Sequence, residues 1–400
     1  MKPRVLSGMR PTGALHIGHY HGALKNWVKL QDEMETFHFV ADWHALTTHY
    51  EDPSVLNANV WEMVIDWLSA GLDPNKATIF LQSRIPEHGE LFTLLAMGTP
   101  LAWLERVPTY KDQITKLKDK DLATYGFLGY PLLQAADIMI YGAHYVPVGE
   151  DQVPHVEITR EIARRFNHLY GVVPELDEKK KVALKLLPGE MRQQLTALQA
   201  EWQTNGTQSA RDKAYALLDT APERLAAEHK QVLQIWLAGG RKTILVEAQA
   251  LLTETPKLPG LDGDKMSKSY GNTIAMREAR PVVEDKLRKM KTDPARAKRT
   301  DPGDPEKCPV WDYHKLYSNA ATQAWVVKGC KSAGIGCLEC KQPVIDAVLA
   351  EQAPWLERAE QYIAKPQLVR EIVADGTTKA QAVARETMRG VREAMGLNYV

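Results

Sequence analysis

The sequence lacks the features that place a protein in or across a membrane. No stretch approaches the roughly eighteen uninterrupted apolar residues that a membrane-spanning helix needs. The first residues, MKPRVLSGMR, contain no apolar signal region, so we expect a cytoplasmic protein without a membrane partner. The 50 basic and 50 acidic residues give a formal net charge of zero, so the overall charge neither favours nor excludes a nucleic-acid partner.

Cysteine is scarce, and its distribution is uneven. The 400 residues include only four cysteines, Cys308, Cys330, Cys337 and Cys340. A reducing compartment disfavours disulfides, and scattered structural cysteines would not cluster in this way, so the window indicates a metal site. Its spacing contains one C-x2-C pair, whereas a structural zinc site usually has two. Iron–sulfur clusters accept looser spacing from four thiolates, so both kinds of site stay open on the residues alone.

Strand and helix patterns alternate over the first part of the chain. The segments PRVLSG, TFHFV and ATIFLQS indicate short strands, and apolar residues at helical spacing lie between them. This alternation predicts an α/β fold with a doubly wound parallel sheet of the Rossmann-like kind. Ligands bind such sheets at the carboxyl ends of the strands, which here correspond to residues 7–19 and 41–45.

The chain divides into three predicted parts. A catalytic domain is expected over residues 1–175 and 244–275, with residues 87–175 mainly helical and GAHYVPVGEDQ (142–152) forming a loop. Residues 176–243 are polar, helix-prone and without a motif, which predicts a helical insertion. Residues 276–400 are predicted to form a helical C-terminal domain.

The segment ALHIGHYHGAL (14–24) places three histidines where the first strand is expected to turn into the first helix. Gly18 leaves room for a nucleotide ring that any side chain would displace. His16 and His19 lie three residues apart at the helix start, where they can donate hydrogen bonds to phosphate and stabilise charge on a phosphoryl group. The structural alternative is a capped turn with surface histidines.

A second segment, LPGLDGDKMSKSYGN (258–272), contains the sequence KMSKS at residues 265–269 within a glycine-rich loop. Lys265 and Lys268 are three residues apart, and two lysines on a mobile loop can hold a triphosphate and follow its charge into the transition state. The structural alternative is an exposed lysine loop. The presence of HIGH and KMSKS in one chain makes coincidence implausible.

These two motifs, intact and in order, resemble the signatures of the class I aminoacyl-tRNA synthetases. Six segments are similar to the tryptophanyl-tRNA synthetases within that class, and the resemblance covers most of residues 1–172 and 250–320. The segments are SGMRPTGALHIGHYHGAL, VADWHAL, QSRIPEH, YPLLQAADIMIY, VPVGEDQ and LPGLDGDKMSKSYGN. The resemblance implies a tryptophan–tRNA ligase, which activates L-tryptophan with ATP and Mg²⁺ and transfers the product to tRNA(Trp). The alternatives are a tyrosyl-tRNA synthetase and a non-catalytic RNA-binding or sensing paralogue.

The resemblance also implies the roles of individual residues. His16, His19, Lys265 and Lys268 would stabilise the transition state. The ATP site would consist of Arg10, Pro11, Thr12, Gly18, His19, Gly149, Glu150, Asp151, Leu258, Lys265, Met266, Ser267, Lys268 and Ser269. The amino acid would be held by Tyr130, Gln134, Asp137 and Gln152.

The choice between tryptophan and tyrosine depends on Asp137 and Gln134. Tryptophan has one polar side-chain group, the indole N–H, so its pocket needs one acceptor in an apolar slot, and Asp137 stands where the family has that acceptor. The spacing of Tyr130, Gln134 and Asp137 also resembles the tyrosyl enzyme, in which a glutamine and an aspartate hold a phenol. The segments VPVGEDQ and VADWHAL favour tryptophan.

The resemblance extends to the cysteine window and to the assembly. Some bacterial tryptophanyl enzymes carry a [4Fe–4S] cluster with closely similar spacing, so a cluster on Cys308, Cys330, Cys337 and Cys340 is implied, with Zn²⁺ as the alternative. Related enzymes are homodimers, and LFTLLAMGTPLAWLERV (91–107) is a candidate interface, with a helix buried in the interior of one chain as the alternative. Basic residues outnumber acidic ones between positions 277 and 299, which predicts a contact strip for tRNA.

Overall fold

The computed structural model describes residues 2–107, 124–205, 207–222, 225–252 and 258–399, without the side chains of Asp151, Gln208 and Ser269. Within these ranges five strands form one parallel sheet in the order β3-β2-β1-β4-β5. They are β1 (Arg4–Met9), β2 (Glu35–Val40), β3 (Ala77–Leu81), β4 (Tyr145–Val148) and β5 (Gln249–Leu252). The predicted doubly wound α/β fold is therefore confirmed. The winding reverses between β1 and β4, which creates a crevice at their carboxyl ends.

Two of these strands differ from the sequence-based expectation. β4 lies within GAHYVPVGEDQ, which we predicted as a loop, and β5 was not predicted at all. Each has four residues, which is too short for a period-two pattern to stand out. They stabilise each other, because β4 pairs with β5 along its whole length, from Tyr145 opposite Gln249 to Val148 opposite Leu252.

Helices cover the sheet and account for most of the remaining described residues. Those before residue 176 are α1 (Ile17–His19), α2 (Lys25–Glu33), α3 (Asp42–His49), α4 (Leu56–Ala70), α5 (Glu87–Ala96), α6 (Leu101–Glu105), α7 (Tyr125–Leu128), α8 (Tyr130–Ile140) and α9 (Val153–Tyr170). Those that follow are α10 (Leu176–Lys185), α11 (Gly189–Asn205), α12 (Gln208–Asp219), α13 (Ala227–Leu237), α14 (Arg280–Lys289), α15 (Pro309–Tyr317), α16 (Ala320–Lys331), α17 (Cys337–Ala364) and α18 (Pro366–Ala394). None of these described helices has both the length and the apolar content that crossing a membrane requires.

Helices α10 to α13, in the segment predicted as an insertion, pack around a small hydrophobic core of their own. Its buried members are Ala183, Leu187, Leu195, Ala214, Leu218, Leu225, Leu233 and Leu237. The apolar side chains of this segment are therefore satisfied by one another, and its role as an insertion stays a prediction.

The last helix, α18, covers the edge of the sheet beside β3. At Gly376 its backbone is so close to the strand that a Cβ atom would stand 2.0 Å from the carbonyl oxygen of Ile79. Neighbouring strand residues point to opposite faces, and Ile79 and Phe80 belong to different cores. α18 contributes Val373 to the first core and Met388 to the second. It therefore shields an edge whose N–H and C=O groups would otherwise be open to pairing.

Candidate active site

A cavity of about 380 Å³ opens at the carboxyl ends of β1 and β4, where the sheet's winding reverses. Gly8, Met9 and Arg10 line it at the end of β1, and Val148 and Gly149 line it at the end of β4. The residues predicted to hold the amino acid also line it: Tyr130, Gln134, Asp137 and Gln152. The structure thus brings these predicted residues to one cavity.

The carboxylate of Asp137 is fully buried and receives hydrogen bonds from three side chains. His44 Nε2 is 2.7 Å from Oδ2, and His88 Nδ1 is 2.5 Å from Oδ1. Gln82 Nε2 donates to both oxygens at 2.9 Å. Burial by itself would raise the pKa of Asp137, but His88 and His44 outweigh it and lower the pKa below its ordinary value. The cavity therefore has an ionised acceptor in its wall.

Tyr130 and Gln134 share one face of α8 with Asp137, because the three residues lie four and three positions apart. The Tyr130 ring meets the ring of His44 edge-on, with centroids 4.4 Å apart. Burial raises the pKa of Tyr130, so its hydroxyl keeps the proton. The Oε1 atom of Gln134 is buried and has no hydrogen-bond partner among the described residues, which leaves one acceptor for a ligand N–H.

His16 is the N-cap of α1, and the other HIGH residues form α1 itself. The His16 backbone N–H donates to His19 Nδ1 at 3.2 Å, and the two ring centroids are 3.7 Å apart. A Cβ atom at Gly18 would stand 2.9 Å from His16 Nδ1, so only glycine leaves room here for the imidazole ring of His16. The Ile17 N–H donates to the carbonyl oxygen of Ile274 at 3.0 Å, which joins the start of α1 to the segment after KMSKS.

Lys268 carries a buried amine without a hydrogen-bond partner among the described residues. Its Nζ atom would lie 3.5 Å from a Cβ atom at Gly13, so it sits beside the turn that follows β1. Burial lowers the pKa of Lys268 to about 8. A mostly charged, unpaired and partly desolvated ammonium is costly, and an anion would offset that cost. The position therefore suits a phosphate.

The two imidazoles near Lys268 are neutral at physiological pH. Burial, followed by the charge of Lys268, lowers the pKa of His16 to about 4. Burial is also the main cause that lowers the pKa of His19 well below its ordinary value, with further contributions from His16, Lys268 and Lys265. Neutral histidines donate hydrogen bonds without adding to the positive charge of the lysines.

The other predicted ATP residues lie partly in the turn after β1, partly in the hydrophobic core and partly on the surface. The Thr12 N–H donates to the Arg10 carbonyl oxygen at 2.9 Å, which closes a tight turn around Pro11. Leu258 and Met266 are buried in the hydrophobic core and not in the cavity wall, although the Met266 sulfur would lie 3.4 Å from a Cβ atom at Gly18. Exposed positions are occupied by Lys265 and Glu150. The side chains of Asp151 and Ser269 lie outside the described part of the chain.

Several residues that hold these groups in place were not predicted from sequence patterns. His44, Gln82 and His88, which bond Asp137, come from the segments VADWHAL and QSRIPEH after β2 and β3. Polar residues just after two neighbouring strands, β2 and β3, were the signal that could have found them. Asn272 was also missed: its Oδ1 atom accepts from the Ser267 N–H at 2.7 Å and stabilises the KMSKS loop.

Comparison with known proteins agrees with this geometry. The family model described as tRNA synthetases class I (W and Y) matches residues 1–193 and 232–351. The tryptophan–tRNA ligase of Ralstonia nicotianae is 64% identical over 396 residues, which are 99% of each chain. That of Thermotoga maritima is 44% identical over 99% of this chain and 100% of its own. The chain belongs to the tryptophan–tRNA ligase family.

A solved structure of the same family has a similar fold. The crystal structure of tryptophanyl-tRNA synthetase from Campylobacter jejuni, complexed with ADP and tryptophan, has a TM-score of 0.72 and 29% identity over 98% of this chain and 99% of that chain. These findings confirm the predicted tryptophan–tRNA ligase, a class I synthetase, in preference to the tyrosyl and non-catalytic alternatives.

The four cysteines of this ligase share one neighbourhood in the C-terminal helices. Cys308 precedes α15, Cys330 lies in α16, and Cys337 and Cys340 lie in the first turn of α17. Burial, followed by the three other thiols, raises the pKa of Cys340 to about 12. No group of three His, Cys, Asp or Glu side chains within the described ranges is arranged to hold a metal ion.

The basic strip contains fewer free charges than its composition indicates. Arg277 pairs with Asp66 and Glu62, and Lys286 pairs with Glu278. Further ion pairs of this strip are Arg288 with Glu284, Lys289 with Asp285 and Arg299 with Glu339. Much of the predicted tRNA strip is thus neutralised by acidic residues of the same chain.

Proposed function

We propose that the cavity between β1 and β4 binds L-tryptophan and that ATP binds beside it, against the HIGH residues and the KMSKS loop. The observation that carries this proposal is the buried Asp137 carboxylate in the wall of a cavity at the sheet's switch point. An ionised carboxylate only accepts hydrogen bonds, and the indole N–H only donates. The Gln134 Oε1 atom, Tyr130 and Gln152 would then orient the amino acid's α-ammonium group.

The first step joins the tryptophan carboxylate to ATP. A carboxylate oxygen forms a bond to the α-phosphorus, the bond from that phosphorus to the bridging oxygen breaks, and pyrophosphate leaves. No side chain forms a covalent bond, so positioning and charge account for the rate. Lys265 and Lys268 would hold the phosphates, and His16 and His19 would donate hydrogen bonds to oxygens on which charge develops.

The ATP site would be completed by the turn after β1 and the segment after β4. Arg10, Pro11, Thr12 and Gly18 would lie along the nucleotide on one side, and Gly149, Glu150 and Asp151 on the other. Leu258, Met266, Ser267 and Ser269 would shape the KMSKS loop around the phosphates. Mg²⁺ would enter with ATP and neutralise part of the phosphate charge. The activated tryptophan would then pass to tRNA(Trp).

ATP–pyrophosphate exchange tests this function directly. Exchange with tryptophan and none with tyrosine is expected for the native chain. Asp137→Asn should abolish detectable exchange at micromolar tryptophan, whereas Lys268→Ala should weaken it at every tryptophan concentration. Exchange with tyrosine instead would mean that Gln134 and Asp137 hold a phenol.

We also propose that Cys308, Cys330, Cys337 and Cys340 bind a [4Fe–4S] cluster, with Zn²⁺ as the alternative. Burial, followed by neighbouring thiols, raises the pKa of Cys308 and Cys340, so the thiols lie close together, and two buried cations beside them support a negatively charged group at this position. Arg296 Nη1 lies 3.9 Å from Cys330 Sγ, and Lys341, 5% exposed, follows Cys340 directly. When bound, the cluster would supply a cross-link between α15, α16 and α17.

That cross-link would lie close to the KMSKS loop. α15 begins after Cys308, and the Tyr313 hydroxyl of α15 donates to the Pro259 carbonyl oxygen at 2.9 Å. Iron, sulfide and zinc analysis of anaerobically purified protein, with its visible absorption spectrum, tests the assignment. About four iron and four sulfide per chain with broad visible absorption is expected, and one zinc without iron would overturn it.

The remaining proposals concern the assembly and the division of the chain. We infer a cytoplasmic homodimer, supported by Met97 and Leu101, which are 74% and 57% exposed within the apolar segment 91–107. The catalytic domain is proposed to comprise residues 1–175 and 244–275, with 176–243 as the insertion and 276–400 as the tRNA-binding part. Light scattering should give about twice the mass of one chain, and Met97→Glu should shift it toward the monomer.

A further inference from the structure

His88 bridges Asp137 and Tyr141 behind the cavity. Its side chain is fully buried, with Nδ1 2.5 Å from Asp137 Oδ1 and Nε2 2.6 Å from the Tyr141 hydroxyl. His88 and Tyr141 are not among the cavity-lining residues, so neither would contact a bound ligand. Both ring nitrogens of the buried His88 are therefore engaged in hydrogen bonds, one with Asp137 and one with Tyr141.

The protons on this link have one consistent arrangement. The Tyr141 hydroxyl is deeply buried, and burial raises its pKa well above the ordinary value, so it stays protonated. Within the described residues this hydroxyl bonds only His88. If the hydroxyl donates to Nε2, that nitrogen carries no proton, so the ring N–H is on Nδ1 and donates to Asp137. Tyr141 thus selects the tautomer that Asp137 needs.

Aromatic rings enclose the link and restrict its movement. The His88 ring centroid lies 6.2 Å from that of Phe39 and 6.5 Å from that of Phe80. The Tyr141 ring stacks on Phe37 at 5.2 Å. A side chain packed in this way keeps one rotamer, which is the condition for holding a neighbour at a fixed angle.

The other donors to Asp137 complete its surroundings. Gln82 uses its amide on both carboxylate oxygens, and His44 approaches Oδ2 from the cavity wall. The N–H groups of three side chains are thus directed at the carboxylate. Asp137 therefore presents an acceptor to the cavity while its three donor neighbours are turned toward the carboxylate, and an acceptor suits an indole N–H.

We propose that His88, with its tautomer set by Tyr141, is a positioning residue that holds Asp137 from behind as an acceptor for the tryptophan side chain. The inference rests on the proposed role of Asp137 and extends it to residues that never touch the substrate. A positioning residue of this kind acts on tryptophan recognition and leaves the ATP side of the reaction unchanged.

Four variants test the proposal in ATP–pyrophosphate exchange. His88→Leu removes the donor and is expected to raise KM for tryptophan about 10- to 100-fold, as for loss of a hydrogen bond to a charged group, with KM for ATP within about twofold. His88→Asn places an amide N–H near the position of Nδ1–H and is expected to restore KM for tryptophan to within about threefold. Tyr141→Phe removes the hydroxyl that fixes the His88 tautomer and is expected to raise KM for tryptophan about 3- to 10-fold. His38→Leu is the matched control and should leave KM for tryptophan unchanged. His38 is another fully buried histidine, and it has no hydrogen-bond partner in the described ranges.

The outcomes separate this inference from the proposed function. A rise in KM for tryptophan with rescue by asparagine supports the positioning role. Asparagine no better than leucine, or equal losses toward ATP and tryptophan, would overturn it, since both indicate a purely structural role. If Asp137→Asn leaves KM for tryptophan unchanged, the proposed function of Asp137 fails instead. Should His88→Leu not fold, the Tyr141→Phe and His88→Asn pair decides, because both keep the site filled.

Discussion

The buried amine of Lys268 makes ATP binding depend on pH in a calculable way. With a pKa of about 8, about 90% of this amine is protonated at pH 7.0 and about 9% at pH 9.0. Because phosphate binds the ammonium form, the apparent Kd for ATP in the absence of tryptophan is expected to rise about tenfold between these pH values, or about 1.4 kcal/mol. Because the ammonium form binds phosphate, ATP binding is close to full strength at pH 7 and weakens as the pH rises through 8.

Calorimetry provides the assay and the control. At pH 8.5 about three-quarters of the Lys268 amines are neutral, so ATP binding should take up about 0.75 proton, measured in two buffers of different ionisation enthalpy. Lys268→Arg keeps its charge at every pH used, so it should bind ATP with neither the tenfold loss nor the proton uptake. The titration of ATP itself is common to both proteins and cancels in the comparison. An equal pH dependence in Lys268→Arg would refute the assignment of the effect to Lys268.

Three further predictions concern specificity and stability. Asp137→Asn is expected to raise KM for tryptophan by about 100-fold or more, because a neutral amide is a weaker acceptor and disturbs the three side-chain hydrogen bonds to this position. The melting temperature of the variant checks that it folds. An unchanged KM would contradict the role assigned to Asp137. Gly376→Ala should lower the free energy of unfolding in urea by about 3 kcal/mol or prevent folding, since its Cβ would overlap the Ile79 carbonyl oxygen, whereas Gly390→Ala on the same helix meets nothing within 4 Å and should be neutral or slightly stabilising. Burial lowers the pKa of His38 from 6.5 to about 3, so the protein should lose about 2 kcal/mol of stability through this group between pH 7.5 and pH 5.0, as the unfolded chain takes up the proton first. The urea unfolding free energy of His38→Leu should lack this part of the loss, and an identical pH dependence in both proteins would show that His38 does not cause it.

Local patterns predicted the first half of the sheet well. PRVLSG, TFHFV and ATIFLQS became β1, β2 and β3, since each is long enough for its apolar residues to indicate a buried strand. The four-residue strands β4 and β5 were not predicted, because they are stabilised by pairing with each other across about a hundred residues of chain. The turn predicted after TFHFV begins a helix, α3, at Asp42, whose carboxylate accepts from the Ser83 N–H of the next strand's end.

The amino-acid sequence by itself determined the α/β class, the placement of HIGH at a strand-to-helix turn, and the enzyme family, because each depends on residues close together in the chain. Only the tertiary structure decided how Asp137 is held, since its partner His88 lies 49 residues away and meets it through the packing of α5 on α8. It also decided which groups are charged: Lys268, His16 and His19 owe their shifted pKa values to burial. Burial is a property of the folded surface, and local sequence patterns do not contain it.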